Sequence, residues 1–321
     1  MNKIKLVKRI EDASKKIQPF IRQTYLERSI EFSSIIEGDV WFKLENLQHT
    51  GSFKVRGALN KILRLSDSEL EKGVITASTG NHGAAVAFAS KKFNIDCTIY
   101  VPENSSDAKI SNMKRYGPNI IVYGKDSVEA ERKARIVADS KSQVYISPYN
   151  DIDVIAGQGT IGVELMNQCD TMDAIIIAVG GGGLISGVAT YLKSLLAKIN
   201  IIGCSPRNSA VMLKSIDAGK VIDIDFVSTL SDGTAGGVEH DAITFPICSN
   251  IIDDKILLTE KEIIDGTNYY LRKERKLLEG SAGMAVAALL KKKEELKGQK
   301  VGVIICGGNI SLETLGHILE H

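Results

Sequence analysis

The segment 174–179, AIIIAV, has no polar position on either face, and four glycines and a helix-patterned stretch follow it directly. An apolar run without alternation is a strand buried on both sides, as in a parallel sheet covered by helices on both faces. The same order recurs along the chain. A strand at 39–45 precedes a helix at 53–65, and GVITAS at 73–78 precedes an Ala-rich helix at 82–93. Strands at 97–101, 120–123 and 144–147 precede helices at 107–116, 127–140 and 154–168. After the glycines come a helix at 184–199, a strand at 201–204, helices at 260–275 and 282–295, and the strand VGVIIC at 301–306. Strands alternating with helices read as βαβ units.

The chain has 321 residues, which at ~150 per domain gives about two domains. No Pro-rich or Ser-rich linker divides it, so any division runs through short connections. Residues 73–148 hold four tight β/α units of their own. They read as a small lobe inserted into a larger one built from 1–72 and 149–321.

Composition removes several classes of function. Lys plus Arg number 40 and Asp plus Glu 39, a net charge of +1, which lacks the basic footprint of a nucleic-acid binder. No apolar run approaches the ~18 residues of a membrane span. The first twenty residues are basic and interrupted by charges, without the apolar stretch of a signal peptide. The five cysteines are widely spaced with no CxxC, which fits thiols in a reducing cytoplasm better than disulfides or a zinc site.

Four features carry chemistry, each at the carboxyl end of a strand or at a helix start, where parallel α/β folds place their sites. Lys54, in SFK, sits just inside a helix start among apolar residues. Desolvation there favours the neutral amine that a Schiff-base lysine needs, although a surface lysine with a snorkelling stem is the commoner arrangement. The run Ser78-Thr79-Gly80-Asn81-His82-Gly83 offers N–H groups and hydroxyls to a carboxylate or phosphate; the same residue types serve as ordinary helix caps, and His82 reads better as a capping or packing residue than as a base. Gly180, Gly181, Gly182 and Gly183 let the backbone fold around a phosphate with a helix dipole behind it. They match neither GxGxxG nor a Walker motif. Cys306-Gly307-Gly308-Asn309 permits close approach at the last strand, while Cys306 alone could be a small buried apolar residue.

In this order, FKLENLQHTGSFKVRGA, ASTGNHG, VIAGQGTIGVEL, VGGGGLISG and CGGN, the chain resembles the threonine dehydratase and serine racemase group of pyridoxal-phosphate enzymes over about residues 20–315. The resemblance implies an α/β fold of type II, the tryptophan synthase β-like arrangement of two open, twisted, mostly parallel sheets flanked by helices. It implies pyridoxal 5'-phosphate as cofactor, with Lys54 forming the Schiff base and acting as the proton-transfer base. Phe53 would pack beside the pyridine ring and Asn81 would hydrogen-bond the phenolate oxygen. Gly180 to Gly183 and Leu184 would hold the phosphate. Cys306 would face the pyridine nitrogen, with Glu279 and Gly237 close to the cofactor. Ser78, Thr79, Gly80, Asn81 and His82 would bind the substrate carboxylate, with Thr79 on the face opposite the lysine. A homodimer or homotetramer is implied as well.

The departures favour a dehydratase. Where serine racemases of this group begin a divalent-cation site with a Glu, the chain has Ser205, and Ser209 and Val211 fill the positions downstream, so no metal is expected. Tyr149 stands where racemases have Asn and threonine dehydratases an aromatic residue. A thiol at Cys306 cannot keep the pyridine nitrogen protonated, which favours prompt loss of a β-substituent. The chain ends soon after CGGN, leaving no room for an isoleucine-responsive regulatory domain. The expected activity is α,β-elimination from L-threonine, and from L-serine, to a 2-oxo acid and ammonia. A hydroxyectoine-utilisation dehydratase or a 3-hydroxyaspartate ammonia-lyase is the nearest alternative, and a serine racemase ranks below both. A nicotinamide oxidoreductase lacks its fingerprint here. A non-catalytic pyridoxal-phosphate binder would share the motifs.

Overall fold

The structure is a computed structural model and describes residues 3–105, 107–225 and 227–320; residues 1, 2 and 321, at the ends of the expected larger lobe, lie outside it. The elements begin with α1 (Lys3–Ile17), β1 (Leu26–Ser29), α2 (Ile30–Ile35), β2 (Asp39–Leu44), α3 (Lys54–Ile62) and α4 (Asp67–Lys72). There follow β3 (Val74–Ala77), α5 (Asn81–Phe93), β4 (Cys97–Val101), α6 (Asp107–Lys114), β5 (Asn119–Val122), α7 (Ser127–Lys141) and β6 (Val144–Tyr145). The chain continues through α8 (Ile152–Gln168), β7 (Ala174–Ala178), α9 (Gly183–Leu195), β8 (Asn200–Pro206), α10 (Val211–Ala218) and α11 (Thr244–Ile251). It closes with β9 (Asp254–Leu258), α12 (Glu260–Glu274), α13 (Gly280–Lys291), β10 (Lys300–Ile305) and α14 (Leu312–Leu319).

Ten strands form two sheets among the described residues. The larger has the order β1-β2-β10-β7-β8-β9 and the smaller the order β5-β4-β3-β6. All pairings are parallel except β1 on β2. The isoleucines of β7 are buried on both faces, as their unbroken apolar pattern requires. Phe32, Phe42 and Tyr270 fill one side of the larger sheet, the Phe42 and Tyr270 rings meeting edge to face at 5.0 Å. The α/β architecture expected from the sequence is the one observed. No helix of the described residues is long and apolar enough to cross a membrane.

Helix α3 carries Lys54 at its first position, and its placement is tightly determined. It crosses α8 where Gly157 meets Gly57: a Cβ on Gly157 would lie 2.6 Å from the Gly57 Cα. Beside that crossing, the fully buried Arg56 forks onto Glu45 at 2.7 and 2.8 Å and reaches Glu164 at 2.7 Å. Glu164 in turn accepts from Lys43 at 2.6 Å. Charges withdrawn from water persist only when paired in this way. The network fixes the first turn of α3 from behind while Lys54, two residues earlier, faces the opposite way.

Candidate active site

One cavity of about 1170 Å³ opens between the two sheets. That is ample beside the ~300–1,000 Å³ of ordinary small-molecule sites. The residues to which the resemblance gives a catalytic, cofactor or substrate role all line it: Phe53 and Lys54; Ser78, Thr79, Gly80, Asn81 and His82; Gly180 to Gly183 with Leu184; and Gly237, Glu279 and Cys306. They come from six separate stretches of chain, joined only by the folding of the strand ends toward one another. Gly83, Ser205, Ser209, Gly307 and Gly308 lie outside the cavity wall.

Lys54 Nζ donates to the Pro148 carbonyl at 2.9 Å and lies 5.3 Å from the centre of the Phe53 ring. Burial pushes its ammonium down to about 8, against the opposing pull of Cys306 and the Glu279 carboxylate. The Phe53 N–H donates to the Cys306 carbonyl at 3.1 Å, which ties the start of α3 to the end of β10. The Cys306 thiol is held well above its ordinary value by burial, and so stays neutral.

Glu279 is the other buried ionisable group. Its carboxylate accepts from Asn81 Nδ2, 2.9 Å from each oxygen, and from the Asn309 N–H at 3.2 Å. Burial raises its pKa to about 7 despite the Asn81 hydrogen bond. Asn309 Nδ2 donates to Asn81 Oδ1 at 2.7 Å and to the Thr50 carbonyl at 2.8 Å. The Asn81 amide is therefore oriented from both ends. A flipped amide would set its oxygen against a carboxylate and its nitrogen against another NH2 group. Asn309 was part of the CGGN motif but had no role assigned from sequence.

Within the Ser78 to His82 run, the Gly80 N–H donates to Ser78 Oγ at 3.2 Å. The His82 ring is turned away, with Nε2 at 2.9 Å from the Ile146 carbonyl. Burial, then the nearby Lys54 charge, lower its pKa to about 3, so it is neutral and engaged in packing. Thr79 lines the cavity with its side chain partly exposed.

The four-glycine turn joins β7 to α9. Gly182 has φ +85°, a conformation that side chains disfavour, and a Cβ there would lie 2.7 Å from Cys248 Sγ. A Cβ on Gly181 would enter the Tyr149 ring, at 2.4 Å. The turn lies between that ring and the start of α11. Ser205, where no metal is expected, donates to the Val179 carbonyl at 2.7 Å and so secures the exit of β7.

The arrangement fits a phosphorylated aldehyde. A lysine amine with a depressed pKa is available for condensation. A bare-backbone turn at the start of a thirteen-residue helix can take a dianion. A neutral thiol and an oriented amide stand ready for a ring's polar edges.

The chain is similar to known proteins over nearly its whole length. A family profile described as pyridoxal-phosphate dependent enzyme matches residues 17–307. An L-threonine ammonia-lyase of Thermotoga maritima is 36% identical over 311 residues, covering 97% of this chain and 77% of that one. A catabolic L-threonine dehydratase of Staphylococcus aureus is 39% identical over 316 residues, covering 97% and 91%. Among solved structures, the processed form of threonine deaminase isoform 2 from Solanum lycopersicum has a TM-score of 0.94 at 32% identity, covering 100% of this chain and 94% of that one. Maize serine racemase has a TM-score of 0.92 at 33% identity, covering 98% and 96%. With a lysine, a glycine cradle and a neutral thiol set around one cavity, and with these likenesses spanning nearly the whole chain, the protein belongs to the pyridoxal-phosphate-dependent enzymes of fold type II.

Proposed function

We propose that the chain is an L-threonine ammonia-lyase, with L-serine as a second substrate. The observation that carries this reading is the position of the Lys54 amine in one cavity with two turns suited to anions, Ser78–His82 on one side and Gly180–Gly183 on the other. One turn would hold the substrate carboxylate and the other the cofactor phosphate, which fixes the α-carbon beside Lys54.

Bound there, pyridoxal phosphate supplies a sink for the electron pair left when the α-proton is removed. Lys54 takes that proton, and its depressed pKa makes the amine a competent base near neutrality. Asn81, held by Glu279 and Asn309, would donate to the ring's phenolate oxygen. Cys306, a neutral thiol, would stand at the ring nitrogen and would not hold it protonated. Phe53 would pack beside the ring, and Leu184 and Gly237 would complete the walls. The β-hydroxyl departs as water, and the same count of water is regained when the C–N bond hydrolyses. Threonine thus gives 2-oxobutanoate and ammonia.

The names of the Thermotoga and Staphylococcus relatives support this substrate. The likeness to serine racemase, together with a Thr79 hydroxyl in the cavity wall, favours a second reading as a racemase. The β-branch of Thr79 restricts χ1 and leaves its hydroxyl less able to reprotonate an α-carbon than a serine's. The five cysteines are unpaired, which supports a reducing cytoplasmic setting.

The test is a panel of L-threonine, L-serine, 3-hydroxyaspartate and hydroxyectoine-derived β-hydroxy acids, assayed for 2-oxo acid and ammonia. Highest kcat/KM on L-threonine is expected. With L-serine, pyruvate should form faster than D-serine; the reverse order places the chain among the racemases.

A further inference from the structure

Behind the glycine turn, on the side away from the cavity, stands the first residue of α11. Thr244 is fully buried, and among the described residues it is not part of the cavity wall. Its hydroxyl donates to the Gly181 carbonyl at 2.7 Å.

The neighbouring peptides of the turn have other holders. The Gly182 carbonyl accepts the Ser186 N–H at 2.9 Å, the first rung of α9. The Cys248 thiol stands behind the same oxygen at 3.8 Å. The Val179 carbonyl is held by Ser205. The Gly181 carbonyl lies one residue outside the helix ladder, and Thr244 is what holds it.

A trans peptide is planar, with its C=O and N–H pointing in opposite directions. Drawing the Gly181 oxygen toward Thr244 therefore turns the Gly182 N–H toward the cavity. The same plane can rotate by changing only ψ of Gly181 and φ of Gly182, and neither residue has a Cβ to resist the rotation. Backbone sterics alone thus leave two orientations open. One presents a donor to an anion and the other a carbonyl lone pair.

We propose that Thr244 is a positioning residue that sets the phosphate cradle, by holding the Gly181–Gly182 peptide with its N–H toward the cavity. The inference rests on reading Gly180–Gly183 as the cofactor's phosphate site. It assigns Thr244 no contact with substrate or cofactor.

The test compares pyridoxal phosphate with pyridoxal. Both condense with Lys54, and only the first reaches the cradle. The full chain is stripped of cofactor, and the affinity for each is measured by absorbance and fluorescence titration in wild type, Thr244→Val and Thr244→Ser. Valine keeps the shape and removes the donor; serine keeps the donor. Thr244→Val should bind pyridoxal phosphate about ten- to a hundredfold more weakly, ~1.4–2.8 kcal/mol, the range of a lost charge-assisted hydrogen bond. Its pyridoxal affinity should stay within about twofold of wild type, and Thr244→Ser should recover most of the phosphate-dependent difference.

Unchanged pyridoxal phosphate affinity in Thr244→Val overturns the proposal. So does an equal loss for both compounds, which would mean general damage to the fold. Should the valine variant fail to fold, Thr244→Ala removes the donor with less steric demand and is held to the same outcomes. A wild type that does not prefer pyridoxal phosphate over pyridoxal refutes the cradle reading itself, a failure separate from that of Thr244.

Discussion

At the scale of single residues, Lys54 and Glu279 are an opposed pair of buried groups in the wall of one cavity. Burial favours the neutral form of each, an amine with a pKa of about 8 and a carboxyl with a pKa of about 7, while each one's charge favours the other's. Condensation with an aldehyde requires the neutral amine, so the rate at which the stripped chain takes up pyridoxal phosphate should rise with pH to a plateau, with a midpoint of about 8 rather than 10.5. Removing the Glu279 charge withdraws a force that raises the lysine's pKa. Glu279→Gln should therefore move the midpoint to lower pH, and a midpoint moving upward would contradict the electrostatic picture. Stopped-flow absorbance at a series of pH values reads both. The motifs that line this cavity were legible in sequence because each is a short local pattern. Their partners were not. Nothing in the sequence tells that Pro148 offers its carbonyl to Lys54 or that Asn309 orients Asn81, since these contacts join residues 94 and 228 positions apart.

At the scale of elements, the buried strands and the glycine turns were plain because each is a local signal. AIIIA is apolar at every position, and β7 is buried throughout. The helix expected to run to 199 ends at Leu195, because the chain must turn to enter β8 at Asn200. Helix α11, which carries Thr244, reads TFPICSNI and has no helical signature; its proline is tolerated only because it falls in the first turn. Helix α1 had a signal in Leu6, Ile10, Ala13 and Ile17, the spacing of its buried face. What no local pattern discloses is the cluster beneath α3. Lys43, Glu45, Arg56 and Glu164 look like ordinary surface charges in sequence, and tertiary packing alone makes them a closed network. Arg56→Met would leave two carboxylates buried without their guanidinium, at a cost of about 3–5 kcal/mol in denaturant melts at pH 7. The sign of the pH dependence follows from Glu164. Burial raises its pKa, but Arg56 and Lys43 outweigh that and hold it below 4.5, so its contribution is present above that pH and lost as pH falls through the lower folded value. In the variant Glu164 loses Arg56 and protonates more readily. The gap between variant and wild type should narrow as the melts are repeated from pH 7 toward pH 4; a gap that widens on acidification would show that the pairing is not what Arg56 contributes.

At the scale of the whole molecule, the cavity is bounded by two sheets that the described strands do not join, so its width depends on what crosses its mouth. Two ion pairs do so. Arg135 on α7 lies 3.1 Å from Glu239, and Lys109 on α6 lies 2.9 Å from Asp232. Glu239 is also a fixed point for the site, since its N–H donates to the Tyr149 hydroxyl at 2.9 Å and its carboxylate accepts from Asn150 at 3.0 Å. Arg135 is shared with Glu131 at 2.7 Å, so the pair across the mouth competes with one along its own helix. All four cross-mouth side chains are partly exposed, and such pairs contribute ~0.2–1 kcal/mol each. A contribution of that size cannot decide whether the protein folds, but it can shift the balance between wider and narrower forms of the cleft. Its removal should therefore appear in substrate capture rather than in the chemical step. Arg135→Ala is expected to raise KM for L-threonine about two- to fivefold while kcat stays within about twofold. Salt provides the control, because screening at ~1 M ionic strength shortens the Debye length to ~3 Å and weakens partly exposed pairs in the wild type as well. KM measured from low to ~1 M salt should rise in the wild type and stay nearly flat in Arg135→Ala, so that the two curves meet. Parallel curves, separated by the same factor at every ionic strength, would mean that Arg135 acts through packing on Tyr145, whose ring centre lies 4.2 Å from its guanidinium carbon, and not through a charge across the cleft.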